Sequence, residues 1–488
     1  MALLPDDSSY YFKIADNFVQ GKGFTFDGIH RTNGFQPLWL YILVIVNYFI
    51  HGTPEMMVRV YLIVQLLLLM GATYLLYLAL KNFISIKSLL LGSFFYLAYV
   101  IIYSLNGMES ALLVFTISLL LYSWLSILKL NPDNKLHQFL LGIEIGLVLL
   151  VRLDTIFFAV GLFVGLLLFQ FKWPELAIRL SLMSLGTLIV ITPYLLYNQF
   201  SFGNIMPISG ALKTSFPVIS NYKINIFYGF SINMIAFAAL GYLLYLISKK
   251  LFFKHPLDIF QIFLFALSMG IVFHYLNYIF FMKWAVYSWH FITYYLYLSI
   301  LLSLWADRLI KRKVNSQLIY NTILVLAAVI LAVRLVGKTQ VNINHSFPVA
   351  SYEAAKFMRE NSAPEEIFAM TDAGVFGYFS NRQVINLDGI VNSVEYQKVL
   401  RSQKINSYFE ELGVDYFIKH RMLDREEAED VIAGNYEFLS ISIYSHLYST
   451  FSDEIVLSKE NEVFRFPYYE GTRYTVYLIW KIDHDNIN

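Results

Sequence analysis

The sequence predicts a polytopic α-helical membrane protein with a C-terminal soluble α/β domain. Three observations predict it. Of 488 residues, 57% are hydrophobic and 15% charged, against roughly 45–50% and about 25% in ordinary soluble domains, and the mean hydropathy is +0.55. Apolar runs near the roughly 20 residues that a helix needs to cross about 30 Å of hydrocarbon recur through the first two thirds. The acids are uneven: 12 of 35 precede Val336 and 23 follow it, so an embedded body gives way to a water-facing domain. The formal net charge of +1 provides no basic field for nucleic acid. The lack of cysteine excludes a disulfide framework, a Cys-ligated zinc and an iron–sulfur cluster.

The elements follow in chain order. Met1–Leu4 runs straight into Pro5-Asp6-Asp7, which is not the shape of a cleavable signal peptide. Residues 1–36 read as a first loop with an interfacial helix, because Tyr11, Ile14, Ala15 and Phe18 recur at helical spacing. Residues 37–337 read as the membrane domain, with about eleven apolar segments. The clear candidates are Met57–Leu80, Leu89–Tyr103, Ala111–Leu128, Leu176–Leu196, Ile224–Ile247, Ile259–Phe281, Phe291–Trp305 and Leu318–Leu335. The shorter runs Leu38–Ile50, Phe139–Val151 and Ile156–Phe171 need tilt or a break. Residues 338–488 read as the soluble domain: helices over Ser351–Asn361 and Ile405–Leu412, strands over Glu366–Met370, Gln383–Leu387, Val414–Ile418 and Tyr474–Ile482, and turns at Gly374, Gly377, Gly389 and Gly413.

Orientation comes from Lys and Arg in the short loops. Lys249, Lys250 and Lys254, and Arg308, Lys311, Arg312 and Lys313, mark cytoplasmic loops; Lys81/Lys87 and Lys129/Lys135 fit the same side. The loop Gln199–Tyr222, the turn Asn106-Gly-Met-Glu109 and the domain after Gly337 are then outside. Counting all eleven segments puts Met1–Gln36 in the cytoplasm. One segment must therefore re-enter if the first loop is to face outward, and Leu38–Ile50 or the pair around Arg152 are the candidates.

Two adjacent carboxylates, Asp6 and Asp7, open the interfacial helix, where the macrodipole favours the ionised form. A carboxylate at a water–lipid boundary can serve as general base toward a hydroxyl or as a hard ligand for a divalent cation. Acids also begin helices simply as caps.

The wider block has a resemblance. Asp6-Asp7, then Tyr10-Tyr11-Phe12, then Gly21-Lys-Gly23-Phe-Thr-Phe-Asp-Gly28 and Thr32-Asn-Gly-Phe-Gln-Pro-Leu-Trp39 resemble the first extracytoplasmic loop of the GT-C superfamily of integral-membrane glycosyltransferases. That superfamily includes protein O-mannosyltransferases and mycobacterial arabinofuranosyltransferases, and this chain is similar to bacterial relatives of them. Asn106-Gly-Met-Glu-Ser110, Val151-Arg-Leu-Asp154, Phe202–Lys213, Asp372-Ala-Gly374, Gly377-Tyr-Phe-Ser380 and Asn386-Leu-Asp-Gly389 extend the likeness over nearly the whole chain. Members carry a transmembrane helix before the Asp-Asp loop, where this sequence has Met1–Leu4. The resemblance implies a polyprenyl-phosphate sugar donor at the outer face of the cell membrane, Asp6 as catalytic base, and Asp7 placed for metal or acceptor.

Other charged residues carry paired readings. Glu109 starts a helix on the outer side, as a functional acid near lipid depth or as an interfacial cap. Glu144, inside an apolar run, suits pairing with a cation from another helix. Arg152 and Asp154, two apart, would diverge on one helix and fit better at a break between half-helices; ion pairing there competes with phosphate binding. Lys213, in an outer loop, suits a phosphate leaving group or plain solvation. His290, between Trp289 and Phe291, suits an interfacial aromatic belt, with a supporting role at the site beside it. Asp372 and Asp388, next to glycines, read as turn residues.

The expected reaction is an inverting transfer from a polyprenyl-phosphate sugar to a glycan, lipid or protein acceptor of the cell envelope. Its transition state resembles an oxocarbenium ion, with Lys213 and Arg152 on the phosphate and Mg²⁺ or Mn²⁺ on Asp7 as the candidate cofactor. No nucleotide cofactor is expected, since no Gly-x-Gly-x-x-Gly follows a strand. The rival readings are a transporter or flippase of lipid-linked sugars, with a midplane site at the Arg152 break, and a non-catalytic scaffold displaying the α/β domain.

Overall fold

The computed structural model describes residues 4–130, 134–169, 173–219, 230–252, 254–311, 316–339, 346–402, 404–420, 429–431, 433–442, 454–470 and 473–482. The predicted basic-loop residues Arg312 and Lys313 lie outside the described residues, as does the side chain of Lys129.

The N-terminal two thirds is helical. Its helices are α1 (Asp6–Val19), α2 (Pro37–Phe49), α3 (Pro54–Leu80), α4 (Ile86–Ser104, with a π turn at Tyr96–Ile101), α5 (Ser110–Leu130) and α6 (Lys135–Val151). They continue with α7 (Ile156–Phe169), α8 (Trp173–Phe202), α9 (Ile208–Lys213), α10 (Phe230–Leu251), α11 (Ile259–Phe281), α12 (Ile292–Lys311) and α13 (Ser316–Thr339). Each of the eleven predicted apolar segments is represented by a helix, and among the described residues six helices are long and apolar enough to cross a membrane. On α3, Ile63, Leu66, Leu67, Met70 and Tyr74 are exposed at helical spacing. Such an outward apolar stripe belongs against lipid. Inside, Trp39, Tyr61, Trp124, Tyr294 and Tyr297 are fully buried.

Local chemistry sets the ends of these helices. Pro37 and Pro54 sit in the first turns of α2 and α3, where the missing N–H is no loss. Thr53, Asn134 and Asp258 cap α3, α6 and α11 through their side chains. Packing also depends on small residues: a Cβ at Gly142 of α6 would fall 2.1 Å from the Met183 carbonyl of α8, so these two helices cross backbone to backbone.

The C-terminal third is the predicted α/β domain. It comprises α14 (Phe347–Asn361), β1 (Ile367–Met370), α15 (Gly374–Phe379), β2 (Gln383–Asn386), α16 (Tyr396–Ser402), α17 (Asn406–Leu412), β3 (Tyr416–His420), β4 (Phe438–Ser442), β5 (Glu454–Ser458), β6 (Glu462–Glu470) and β7 (Arg473–Lys481). One sheet has the order β2-β1-β3-β7-β6, parallel over β2-β1-β3 and antiparallel beyond; β4 and β5 form a separate pair. The chain is thus a polytopic helical membrane protein carrying a soluble α/β domain.

The first loop and the C-terminal domain lie on one face. Asp6 bonds to α15, and at the start of α3 the Glu55 carboxylate accepts a hydrogen bond from Tyr352 of α14 at 3.2 Å, with Arg359 3.8 Å away. Both ends of α2 are therefore on that face. At 13 residues, about 20 Å long, α2 does not carry the chain to the opposite end of the bundle.

Candidate functional site

A polar cavity of about 560 Å³, open to solvent, lies under the C-terminal domain. Its lining includes Asp7, Tyr10 and Tyr11 of α1, Gly34–Gln36 of the first loop, and Glu109, Arg152, Ser209, Lys213 and His290. Ile390 and Val391, from the segment after β2, close it from the soluble domain.

Each charged residue is brought there by a definable local structure. The turn holding Glu109 is pinned from two sides. The Trp39 indole donates to the Gly107 carbonyl at 2.9 Å, the Gly107 N–H donates to Gln65 Oε1 at 3.0 Å, and the Gln65 amide donates to the Met108 carbonyl at 2.5 Å. Glu109 is thereby set 2% exposed at the start of α5. Arg152 follows α6 with extended backbone (φ −154°, ψ 116°), and Leu153–Thr155 makes a 3-10 turn before α7. This is the expected break. Lys213 ends α9, whose entry is fixed by Asn33: the Asn33 side chain accepts from the Ile208 N–H at 2.9 Å and donates to Asn198 at 3.1 Å. The Thr32-Asn33-Gly34 stretch of the first loop thus positions a lysine 180 residues later in the chain.

The buried charges form a chain. Arg152 donates to Glu109 Oε1 at 2.9 Å and to both oxygens of Asp154, at 3.1 and 2.5 Å. Tyr11 donates to the other Glu109 oxygen at 3.1 Å and accepts from the Gln36 N–H at 3.1 Å. Beyond Asp154, His274 Nε2 lies 3.1 Å from its Oδ2, and His274 Nδ1 lies 2.9 Å from the Tyr294 hydroxyl. A second cavity of about 410 Å³ shares Arg152 and His290 with the first and is otherwise lined by residues including Asp154, His274 and the apolar Leu113, Phe158 and Leu267. Arg152 and Asp154 are thus an ion pair in the first place. The guanidinium charge is shared between two carboxylates, which weakens its expected role as a phosphate ligand.

The two adjacent acids part company. Asp6 Oδ2 accepts from the Gly374 N–H at 2.8 Å and Oδ1 from the Val375 N–H at 2.7 Å. Asp6 was expected to be the base. Both of its oxygens are instead engaged by the soluble domain, and it does not line the cavity. Asp7, one residue on and about 100° around the helix, does line it. Burial pushes the Asp7 carboxyl above its ordinary range, and Lys213 pulls it back. The Asp6 carboxyl is pushed well up by burial and by Asp372, against the opposing pull of the Val375 and Gly374 N–H groups.

The remaining expectations resolve individually. His290 lines both cavities rather than only an aromatic belt, although it stacks at the edge of Trp289 and Tyr287. Lys213 lies 5.8 Å from the Trp284 ring centroid, over its face. Glu144 finds a hydroxyl and no cation among the described residues: Ser123 donates to it at 2.7 Å. Asp372 and Asp388 do sit at turns, yet Asp388 is buried and accepts from the Asp372 N–H at 2.7 Å, while Asp372 pairs with His420 at 3.0 Å. Among the described residues no three His, Asp or Glu side chains are arranged to hold a metal ion. Asp7 and Glu109 both line the cavity, and a Mg²⁺ or Mn²⁺ held by one or two carboxylates together with substrate phosphates needs no such cluster. Sequence reasoning missed Tyr10, Tyr11 and His274. Tyr11 read as an apolar position of an amphipathic helix and Tyr10 only as part of the Tyr10-Tyr11-Phe12 stretch, and His274 stands alone inside a long apolar run.

A family model described as a domain of unknown function (DUF8728) matches residues 339–477, within the C-terminal domain. No curated protein matches the sequence. Among solved structures, the chain is similar to the crystal structure of ArnT from Cupriavidus metallidurans in the apo state, at 12% identity and a TM-score of 0.49, covering 89% of this chain and 91% of that one. It is also similar to ArnT from the same organism bound to undecaprenyl phosphate, at 12% identity and a TM-score of 0.45, covering 97% and 93%.

Proposed function

We propose that this protein is an integral-membrane glycosyltransferase that moves a sugar from a polyprenyl-phosphate donor to a hydroxyl of a glycan, lipid or protein acceptor. One observation carries the reading: a carboxylate, Asp7, and a lysine, Lys213, converge in a single polar cavity at the end of the helical bundle. The first-loop resemblance to GT-C enzymes supports it. The cavity belongs on the extracytoplasmic side, since Lys81, Lys87, Lys135, Lys249, Lys250, Lys254, Arg308 and Lys311 lie at the opposite helix ends.

In this reading Asp7 takes the proton of the acceptor hydroxyl as its oxygen attacks the anomeric carbon. The bond from that carbon to the phosphate oxygen breaks on the opposite face, which inverts the configuration, and the phosphate leaves with the electron pair. Lys213 stabilises the growing negative charge. Arg152 acts mainly by holding Glu109 and Asp154, and Glu109 in turn fixes Tyr11 at the cavity wall. The phosphate is already a good leaving group, so positioning and charge stabilisation supply most of the rate. No step is routed through a metal.

The test is transfer from a panel of radiolabelled polyprenyl-phosphate sugars in membranes containing the wild type or Asp7→Asn. Loss of the carboxylate should slow transfer on the order of 10²–10⁴-fold. Asp7→Asn turnover within a few-fold of wild type would remove the base assignment. Sugar counterflow with no new glycosidic bond would instead favour a transporter.

A further inference from the structure

In open α/β sheets, ligands bind outside the carboxyl ends of the parallel strands, where the strand order reverses. In this domain the reversal is at β1, which has β2 on one side and β3 on the other. Asp372 follows β1, Asp388 follows β2, and His420 ends β3, so the crevice carries polar groups. It is filled from within the chain. The Asp6 carboxylate takes the Gly374 and Val375 N–H groups, and the Tyr10 hydroxyl accepts from the Ala373 N–H at 3.0 Å and from the Asn386 amide at 3.3 Å. A Cβ on Gly374 would lie 2.2 Å from the Asp6 carbonyl oxygen, so the seat is backbone against backbone.

The seat has a consequence at the cavity. Directly after β2, the Ile390 carbonyl presses on Gly34, where an added Cβ would come within 1.7 Å of it, and Gly389 approaches Leu212, the neighbour of Lys213. Ile390 and Val391 are then the soluble domain's share of the cavity lining. The lining cations, Arg152 and Lys213, come from the helical two thirds of the chain, the side from which the lipid-borne phosphate of the proposed function would reach the cavity. The wall from the soluble domain offers apolar surface and no cation.

We infer that Asp6 is a positioning residue that seats the C-terminal domain on the cavity, and that Ile390 and Val391 form the wall against which the acceptor binds. The inference rests on the glycosyltransferase reading for its acceptor half; the seating half stands without it. Because α1 carries Asp6 and Asp7 side by side, one turn of helix ties the domain's seat to the cavity's carboxylate. A domain set at the wrong angle would leave the donor site formed and the acceptor site open.

Full-length Asp6→Ala and Gly374→Ala, which loosen the seat from its two sides, test it. Amide hydrogen exchange over residues 373–379 and 387–392 should quicken in both variants. Transfer from a radiolabelled polyprenyl-phosphate sugar should need on the order of tenfold more acceptor membranes for half-saturation. Binding of undecaprenyl phosphate alone, followed by tryptophan fluorescence, should stay within about twofold of wild type. Asp6→Ala that lowers maximal transfer while leaving half-saturation and exchange unchanged would make Asp6 a base and overturn the inference. Weakened undecaprenyl-phosphate binding in both variants would also overturn it, because the domain would then serve the donor. If the wild type transfers no sugar from any donor, the acceptor half falls with the functional reading, and unchanged exchange in the variants overturns the seating half separately.

Discussion

Arg152 provides the sharpest energetic prediction. Its guanidinium is 5% exposed and makes three charge-assisted hydrogen bonds, one to Glu109 and two to Asp154. Arg152→Gln leaves the buried Glu109 and the half-buried Asp154 without their shared guanidinium. Removing one partner of a buried ion pair costs about 3–5 kcal/mol, and the glutamine amide can restore one ordinary hydrogen bond worth about 1 kcal/mol. The net loss is about 2–4 kcal/mol, a large share of the roughly 5–15 kcal/mol typical of a folded domain. Heat unfolding of the detergent-solubilised protein, followed by intrinsic fluorescence, should show a clearly lower midpoint for Arg152→Gln. The sign of a second change is more telling. Adding Glu109→Gln to Arg152→Gln removes one stranded carboxylate, so the double variant should melt above the single one. A single variant as stable as wild type, or a double variant that melts lower still, would refute the buried-triad account.

Two further predictions concern the cavity. Asp7 must be ionised to act as base, so the rate should fall as pH drops through its raised pKa; since Lys213 pulls that pKa down, Lys213→Gln should move the acid limb of kcat/KM to higher pH and lower the plateau. A limb that moves to lower pH, or stays, removes the coupling of the two groups. Gly34→Ala must displace the Ile390 carbonyl, an overpacking that typically costs about 1–3 kcal/mol. The expected readout is faster hydrogen exchange at residues 387–392, and unchanged exchange there would refute the close approach.

What the sequence disclosed depended on how local the signal was. Long apolar runs require only lipid for a partner, and all eleven formed helices. The break at Arg152-Leu-Asp154 was legible because two charges inside an apolar run have to leave it. Strand β6 was not anticipated: Pro467 lies inside it, which argues against a central strand, but β6 is the sheet edge, where a missing N–H is tolerated. The roles of Asp6 and Asp7 were not separable, because they share one chemistry and differ only in which side of α1 they occupy. The residue that decides between them, Gly374, is 368 positions away. Nor could spacing reveal that Asp7, Glu109, Arg152, Lys213 and His290 share one cavity, since they sit on separate elements.

The seat of Asp6 on α15 also sets a schedule for making the protein. Ribosomes add roughly 5–20 residues per second, so the 368 residues between the two partners take roughly 20–70 s to synthesise. For that time the Asp6 carboxylate and the Tyr10 hydroxyl lack their partners in the soluble domain, whereas Tyr11 can meet Gln36 and Glu109 much earlier. The seat therefore closes only once the soluble domain, 368 residues further along the chain, has been made.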